Sequence, residues 1–293
     1  MDEIYVAPGR TTSPGRFAGL FTDLPSDPGA LARIAQGLVM HEFLTGWYGF
    51  ELPQDRRAMV QTRPVEDMLA AINAEDDRPL SVAREPAARF VGDCRHFTVL
   101  TVAMLRSRGV PARSRCGFGG YFNAGFYEDH WVAEYWSAAQ RRWVLLDAQI
   151  DDLQRERFGV PFDPVDVPRD QFVVAGQAWA AYRAGEADPA KYGLSGLNES
   201  GDWWIAANLV RDVAALNNME MLPWDCWGAI PKPDDVIEPE LFDRLAEITR
   251  DPAFPVRELT ALYESDDRLR VPRIIFNANL QRMEELAIPR RES

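Results

Sequence analysis

The sequence predicts an α+β fold, in which one helix packs on an antiparallel sheet and mainly helical additions lie before and after that core. Three observations carry the prediction. Cys94 to Arg108 repeats apolar side chains at helical spacing (Phe97, Leu100, Met104, Leu105) and stops at Gly109-Val110-Pro111. The runs His130 to Trp136 and Arg142 to Asp147 are rich in β-branched and aromatic residues around a short polar loop, which is the pattern of a hairpin. Helical periodicity then returns on both flanks, the C-terminal one especially.

Taken in order, residues 1–26 are rich in Pro, Gly, Ser and Thr without apolar periodicity and read as an irregular arm over the surface. From Asp27-Pro28, the residues Leu31, Ile34, Leu38 and Phe43-Leu44 predict a helix that Gly46 or Gly49 stops. A second helix is expected over Pro64 to Ala74. Residues 160–170 form a Pro/Asp-rich connection, and further helices are expected over Phe172 to Tyr182, Trp203 to Leu216, Leu241 to Ile248 and Arg257 to Leu262. The chain therefore divides into an arm with helices (1–80), a core (81–160) and a mainly helical cap (161–293). The cap aromatics, Trp179, Trp203, Trp204 and Trp227 among them, fit a packed core better than a cleft lining.

Composition narrows the function classes. With 45 acidic against 32 basic residues the formal net charge is -13. Nucleic acid is excluded as a partner, because phosphate binding draws its affinity from clustered Lys and Arg. No stretch reaches the roughly 20 apolar residues of a membrane span, and Met1 to Tyr5 lacks the basic and apolar regions of a leader, so a cytoplasmic, membrane-free protein is expected. The three cysteines, Cys94, Cys116 and Cys226, are too few and too far apart for a disulfide framework. No paired short ligand spacing predicts a metal site, and Gly117, Gly119 and Gly120 lack the Lys and helix start of a phosphate loop, so no cofactor is predicted. Those glycines predict a bulge or close backbone approach.

The chemistry concentrates between residues 93 and 147. Asp93 is a favoured N-cap, which places Cys94 at the first position of the helix, where unpaired amides and the helix dipole favour a thiolate. His96 lies two residues on, about 200° round the helix, and reads as a surface or packing residue. Taking Ser137 to Gln140 as a four-residue loop, the hairpin register pairs 134 with 143, 132 with 145 and 130 with 147. His130 and Asp147 then share a face, and the carboxylate can orient the imidazole. This assigns Cys94 as nucleophile, His130 as acid and base, and Asp147 as the group that fixes the tautomer. The Cys94 amide is a natural oxyanion donor, and the sequence identifies no second one.

The segments Gly92-Asp93-Cys94-Arg95, Gly109-Val110-Pro111-Ala112-Arg113, Asp129-His130-Trp131-Val132-Ala133-Glu134 and Arg142-Trp143-Val144-Leu145-Leu146-Asp147 together resemble the transglutaminase-like superfamily. The resemblance covers about residues 89–150. It implies a papain-like core with a Cys-His-Asp triad on Cys94, His130 and Asp147, acting through an acyl-thioester on an amide-type donor. The acyl donor is expected to be a small molecule or peptide, with an amine or water as acceptor. The alternative is a catalytically silent binding or scaffolding module. The flanks carry no calcium loop of the EF-hand kind, and the tryptophan that completes the oxyanion hole in cross-linking relatives has no assignable counterpart.

Overall fold

The computed structural model describes residues 3–287. The chain opens with short 3-10 turns and α1 (Pro28–Leu38), which runs directly into β1 (Val39–His41). After α2 (Val65–Glu75) come β2 (Phe90–Gly92), α3 (Cys94–Ser107), and the strands β3 (Ala112–Asn123), β4 (Phe126–Ser137) and β5 (Arg142–Leu146). The remainder comprises α4 (Asp152–Phe158), β6 (Phe172–Val174), α5 (Ala175–Arg183), β7 (Tyr192–Leu194), β8 (Glu199–Ser200), α6 (Asp202–Leu216), β9 (Asp225–Cys226), α7 (Pro239–Thr249), α8 (Val256–Ser265), β10 (Ile274–Asn277) and β11 (Arg282–Glu285).

The expected α+β core is present. The central sheet runs β6-β3-β4-β7-β8, with β5 also paired to β4. Because strand side chains alternate, each sheet face has its own cover. Ala133 and Tyr135 of β4, with Ala112 of β3, pack on α1, α2 and α3 in one apolar core. Val132, Leu145, Phe172 and Val174 form a smaller core on the other face. A third core, with Phe118 at its edge, fills the space among α5, α6, α7 and α8. The sheet continues past residue 160, since β6, β7 and β8 join it, so residues 81–160 and the segment after them share one hydrogen-bonded sheet.

Three expectations change. The first helix ends at Leu38 because Val39, Met40 and His41 pair in parallel with Phe90, Val91 and Gly92, and Phe43 is left 67% exposed. The cap begins with strand β6 before α5, because Phe172–Val174 pair with Gly117–Gly119. The N-terminal arm plugs into the core. Tyr5 and Thr11 are buried, the Tyr5 hydroxyl donates to the Leu216 carbonyl at 2.9 Å, and Thr11 donates to Glu220. The glycine expectation is met where β6 approaches: a Cβ on Gly117 would lie 2.3 Å from the Val173 carbonyl oxygen, and the β3–β4 register shifts between Gly119 and Asn123.

Candidate active site

Asp93 caps α3 as the sequence predicts, accepting from the amides of Arg95 (2.9 Å) and His96 (3.3 Å). His96 completes a capping box: its Nδ1 accepts the Asp93 amide at 3.0 Å, and its Nε2 donates to the Thr62 carbonyl at 2.9 Å. Both ring nitrogens are engaged, so His96 braces the helix start. Burial pushes the Asp93 carboxyl up, but His96, His41 and Arg95 together outweigh burial and hold the group below its usual range. Cys94 occupies the first turn, 7% exposed.

The helix tip meets a gap in the sheet. On its outer edge β4 pairs with β7 at Tyr127 and Glu128 and with β5 from Ala133 onward, leaving 129–132 without a strand neighbour there. Cys116 sits opposite Trp131, yet the Cys116 amide turns away from β4 to donate to Asp212 Oδ1 at 2.8 Å. The two residues are therefore a non-hydrogen-bonded pair, and the Trp131 amide points into the gap. There it faces the Cys94 sulfur. Burial pushes the Cys94 thiol well up, Asp93 and Asp129 push the same way, and the Trp131 amide pulls it down. Burial and acidic neighbours thus oppose the helix-start effect on which the sequence expectation of a thiolate rests.

The hairpin register differs from the expected one. Ser137 pairs with Arg142 and Ala133 with Leu146, so the loop is 138–141, turned by Arg141 at φ 55°. Asp147 lies just beyond the ladder, its amide donating to the Pro164 carbonyl at 2.8 Å. Relative to the expected pairing the strands are offset by two residues, an even slip that keeps each side chain on its face. His130 and Asp147 become diagonal neighbours, and His130 Nε2 lies 2.8 Å from Asp147 Oδ2. With Nε2–H donating, Nδ1 carries the lone pair.

Groups not anticipated from sequence complete the surroundings. Tyr121 donates to the same Asp147 Oδ2 at 2.6 Å, and the Gln149 amide donates to Oδ1 at 2.9 Å. Phe122 packs edge-on to the His130 ring with centroids 4.7 Å apart. His41, on the strand paired to Gly92, has its imidazole pushed down to about 4, mainly by burial. Asp129 accepts from Trp204 Nε1 (2.9 Å) and Asn208 Nδ2 (3.0 Å) of α6. Tyr121 precedes Asp147 by 26 residues, and no local pattern links the two. For α6, the polar residues Asn208, Arg211 and Asp212 inside a mainly apolar helix were the available signal. Among the described residues, no group of three or more His, Cys, Asp and Glu side chains could hold a metal ion, and no helix is long and apolar enough to cross a membrane.

Residues 60–148 match the transglutaminase-like superfamily, a segment that contains α3, β3, β4, β5 and the His130–Asp147 pair. A solved structure of a candidate cysteine protease from Cytophaga hutchinsonii is 17% identical with a TM-score of 0.36, over 59% of this chain and 46% of that one. The chain thus spans about half the length of that protein, and at this score the likeness adds nothing to the fold argument. No curated protein matches the chain.

Proposed function

Starting from a transglutaminase-like core, which supports cysteine-based catalysis in general terms, we propose that the protein is a cysteine-dependent acyl-transfer enzyme acting on an amide or other activated acyl group. The observation that carries this reading is the 2.8 Å contact of His130 Nε2 with Asp147 Oδ2, which leaves Nδ1 free to take a proton one residue before Trp131, whose amide faces the Cys94 sulfur. The elevated thiol pKa favours a protonated Cys94 at rest over a preformed thiolate. His130 Nδ1 removes the thiol proton as Cys94 Sγ attacks the acyl carbon. The oxyanion is met by the Cys94 amide at the start of α3. Collapse breaks the bond to the leaving group, which departs with the proton from His130. An amine or water, deprotonated by His130, then attacks the thioester and releases Cys94, which regains its proton from the imidazolium.

Burial of Cys94 and the absence of a hydrogen bond between its sulfur and His130 favour a second reading, a silent binding module. Iodoacetamide separates the two. The enzyme reading expects selective, pH-dependent alkylation of Cys94 that falls about a hundredfold or more, from the lower end of general-base effects upward, in His130→Ala. Uniform slow labelling of all three thiols, unaltered by that substitution, supports the module. Intact-mass trapping from a panel of amide, ester and thioester donors then identifies the acyl group.

A further inference from the structure

Four arginines of the described residues, Arg84, Arg95, Arg106 and Arg211, are nearly buried without a carboxylate hydrogen bond, and three of them each donate to two or more oxygen acceptors. Arg84 donates to four backbone carbonyls. Arg95 donates to the Glu220 and Thr62 carbonyls, and Arg106 to the Ala112 carbonyl and the Thr12 hydroxyl. Arg211 is different. It is 6% exposed and its one hydrogen bond runs from Nη1 to the neutral Asn208 Oδ1 at 3.1 Å, while Nε, like Arg84 Nε and Arg106 Nη2, is buried with no acceptor. A largely buried guanidinium with a single neutral acceptor in the protein is costly, and an incoming anion would offset that cost.

Its position puts that capacity at the candidate active site. Arg211 lies one turn before Ala215 on α6, hence on nearly the same helix face, and Ala215 packs with Cys94, Cys116 and Trp131. Asn208, its hydrogen-bond partner, also donates to Asp129, the residue before His130, and to the carbonyl of Gly117, which pairs with His130. The Asp129 carboxylate feels the Arg211 charge. Its two oxygens are held by Asn208 and Trp204, so its charge reaches the guanidinium only through space and through the Asn208 amide.

We propose that Arg211, steadied by Asn208, is a carboxylate-binding subsite beside Cys94, so that the substrate is an acyl donor or acceptor bearing a carboxylate near its reacting carbon. The proposal rests on the cysteine-enzyme reading above. Two alkylating reagents of nearly equal shape test it, because iodoacetate carries a carboxylate where iodoacetamide carries a neutral amide. Each reacts by forming an S–C bond as iodide leaves, the thiol proton passing to His130.

The quantity read is the iodoacetate-to-iodoacetamide rate ratio at Cys94, mapped by peptide mass and divided by the same ratio at the partly exposed Cys226 of the same sample. A charged hydrogen bond predicts a normalised ratio of about tenfold or more, against the repulsion expected from a protein of net charge -13. Arg211→Gln brings the ratio to about one, and Arg211→Lys retains part of it. Should Arg211→Gln fail to fold, wild-type protein gives the answer, since acetate slows iodoacetate labelling of Cys94 and acetamide does not. A normalised ratio near one in the wild type, or one unchanged in folded Arg211→Gln, overturns the subsite. Failure of Cys94 to react with iodoacetamide in a His130-dependent way overturns the enzyme reading itself.

Discussion

The β3–β4 pair carries a buried polar cluster at each end, and the two are built differently. At one end Arg113 and Arg115 converge on Glu134, with Arg113 Nε 2.7 Å and Arg169 Nη2 2.5 Å from its oxygens, while Arg115 also forks onto Asp212 at 3.1 and 2.9 Å. Phe254 and Trp143 stack on these guanidiniums. At the other end, around Cys94 and His130, donors and acceptors are left over: Trp131 Nε1, Gln149 Oε1, Asp93 Oδ2 and Arg211 Nε have no partner. Complete pairing rigidifies a buried network, whereas spare bonding capacity is what a ligand or a transition state can use. The saturated end anchors the sheet. The unsaturated end is where the chemistry is proposed.

Substitutions can break or sharpen that contrast. The largest effect is expected for Glu134→Gln, which leaves guanidiniums buried without their carboxylate and costs about 3–5 kcal/mol in urea unfolding. Arg211→Gln, at the unsaturated end, is expected to cost far less, and equal losses would erase the distinction. Burial pushes the Glu134 carboxyl up, but Arg113 and the other arginines outweigh it and bring the group down to about 2. Its folded pKa is below the unfolded value of about 4.3, so its contribution is complete at neutral pH and is lost as pH falls from there through about 2.

Next in size is Asp147→Asn, which removes the charge that opposes Nε2 of His130 and permits the wrong tautomer. Alkylation of Cys94 at neutral pH should fall by about a hundredfold while the melting temperature shifts little. Tyr121→Phe removes one donor from Asp147 Oδ2, worth about 1 kcal/mol. The carboxylate then holds the imidazolium more tightly, so the acid limb of the alkylation profile moves up by as much as about one pH unit. An unmoved limb would make Tyr121 merely a packing residue. Smallest is Asp93→Ser, which keeps an N-cap but removes a negative charge beside the sulfur. The thiol pKa, followed by thiolate absorbance, should fall, with stability changed by only a few tenths of a kcal/mol.

How much of this was legible follows the range of each interaction. Helix α3, its Asp93 cap and the strand runs of the hairpin are written in local spacing, and they emerge as read. Where local pattern met a distant partner it failed: Val39–His41 became a strand because Phe90–Gly92 lies beside it, and Tyr5 and Thr11 left the surface because Leu216 and Glu220 receive them. The hairpin shows the boundary between the two cases. Its register was displaced by the loop, yet the two-residue period preserved the face that joins His130 to Asp147.

By itself, then, the sequence determined helix α3 with its cap, the strands that carry the imidazole and carboxylate, and the order in which Cys94, His130 and Asp147 occur, because capping, periodicity and turn chemistry act over a few residues. The tertiary structure alone decided that α6 brings Arg211, Asn208 and Trp204 to the same end of the sheet, that Tyr121 shares Asp147 with His130, and that Cys94 is buried deeply enough to hold its proton. Those outcomes depend on contacts between residues dozens of positions apart and on the exclusion of water, neither of which leaves a local mark in the chain.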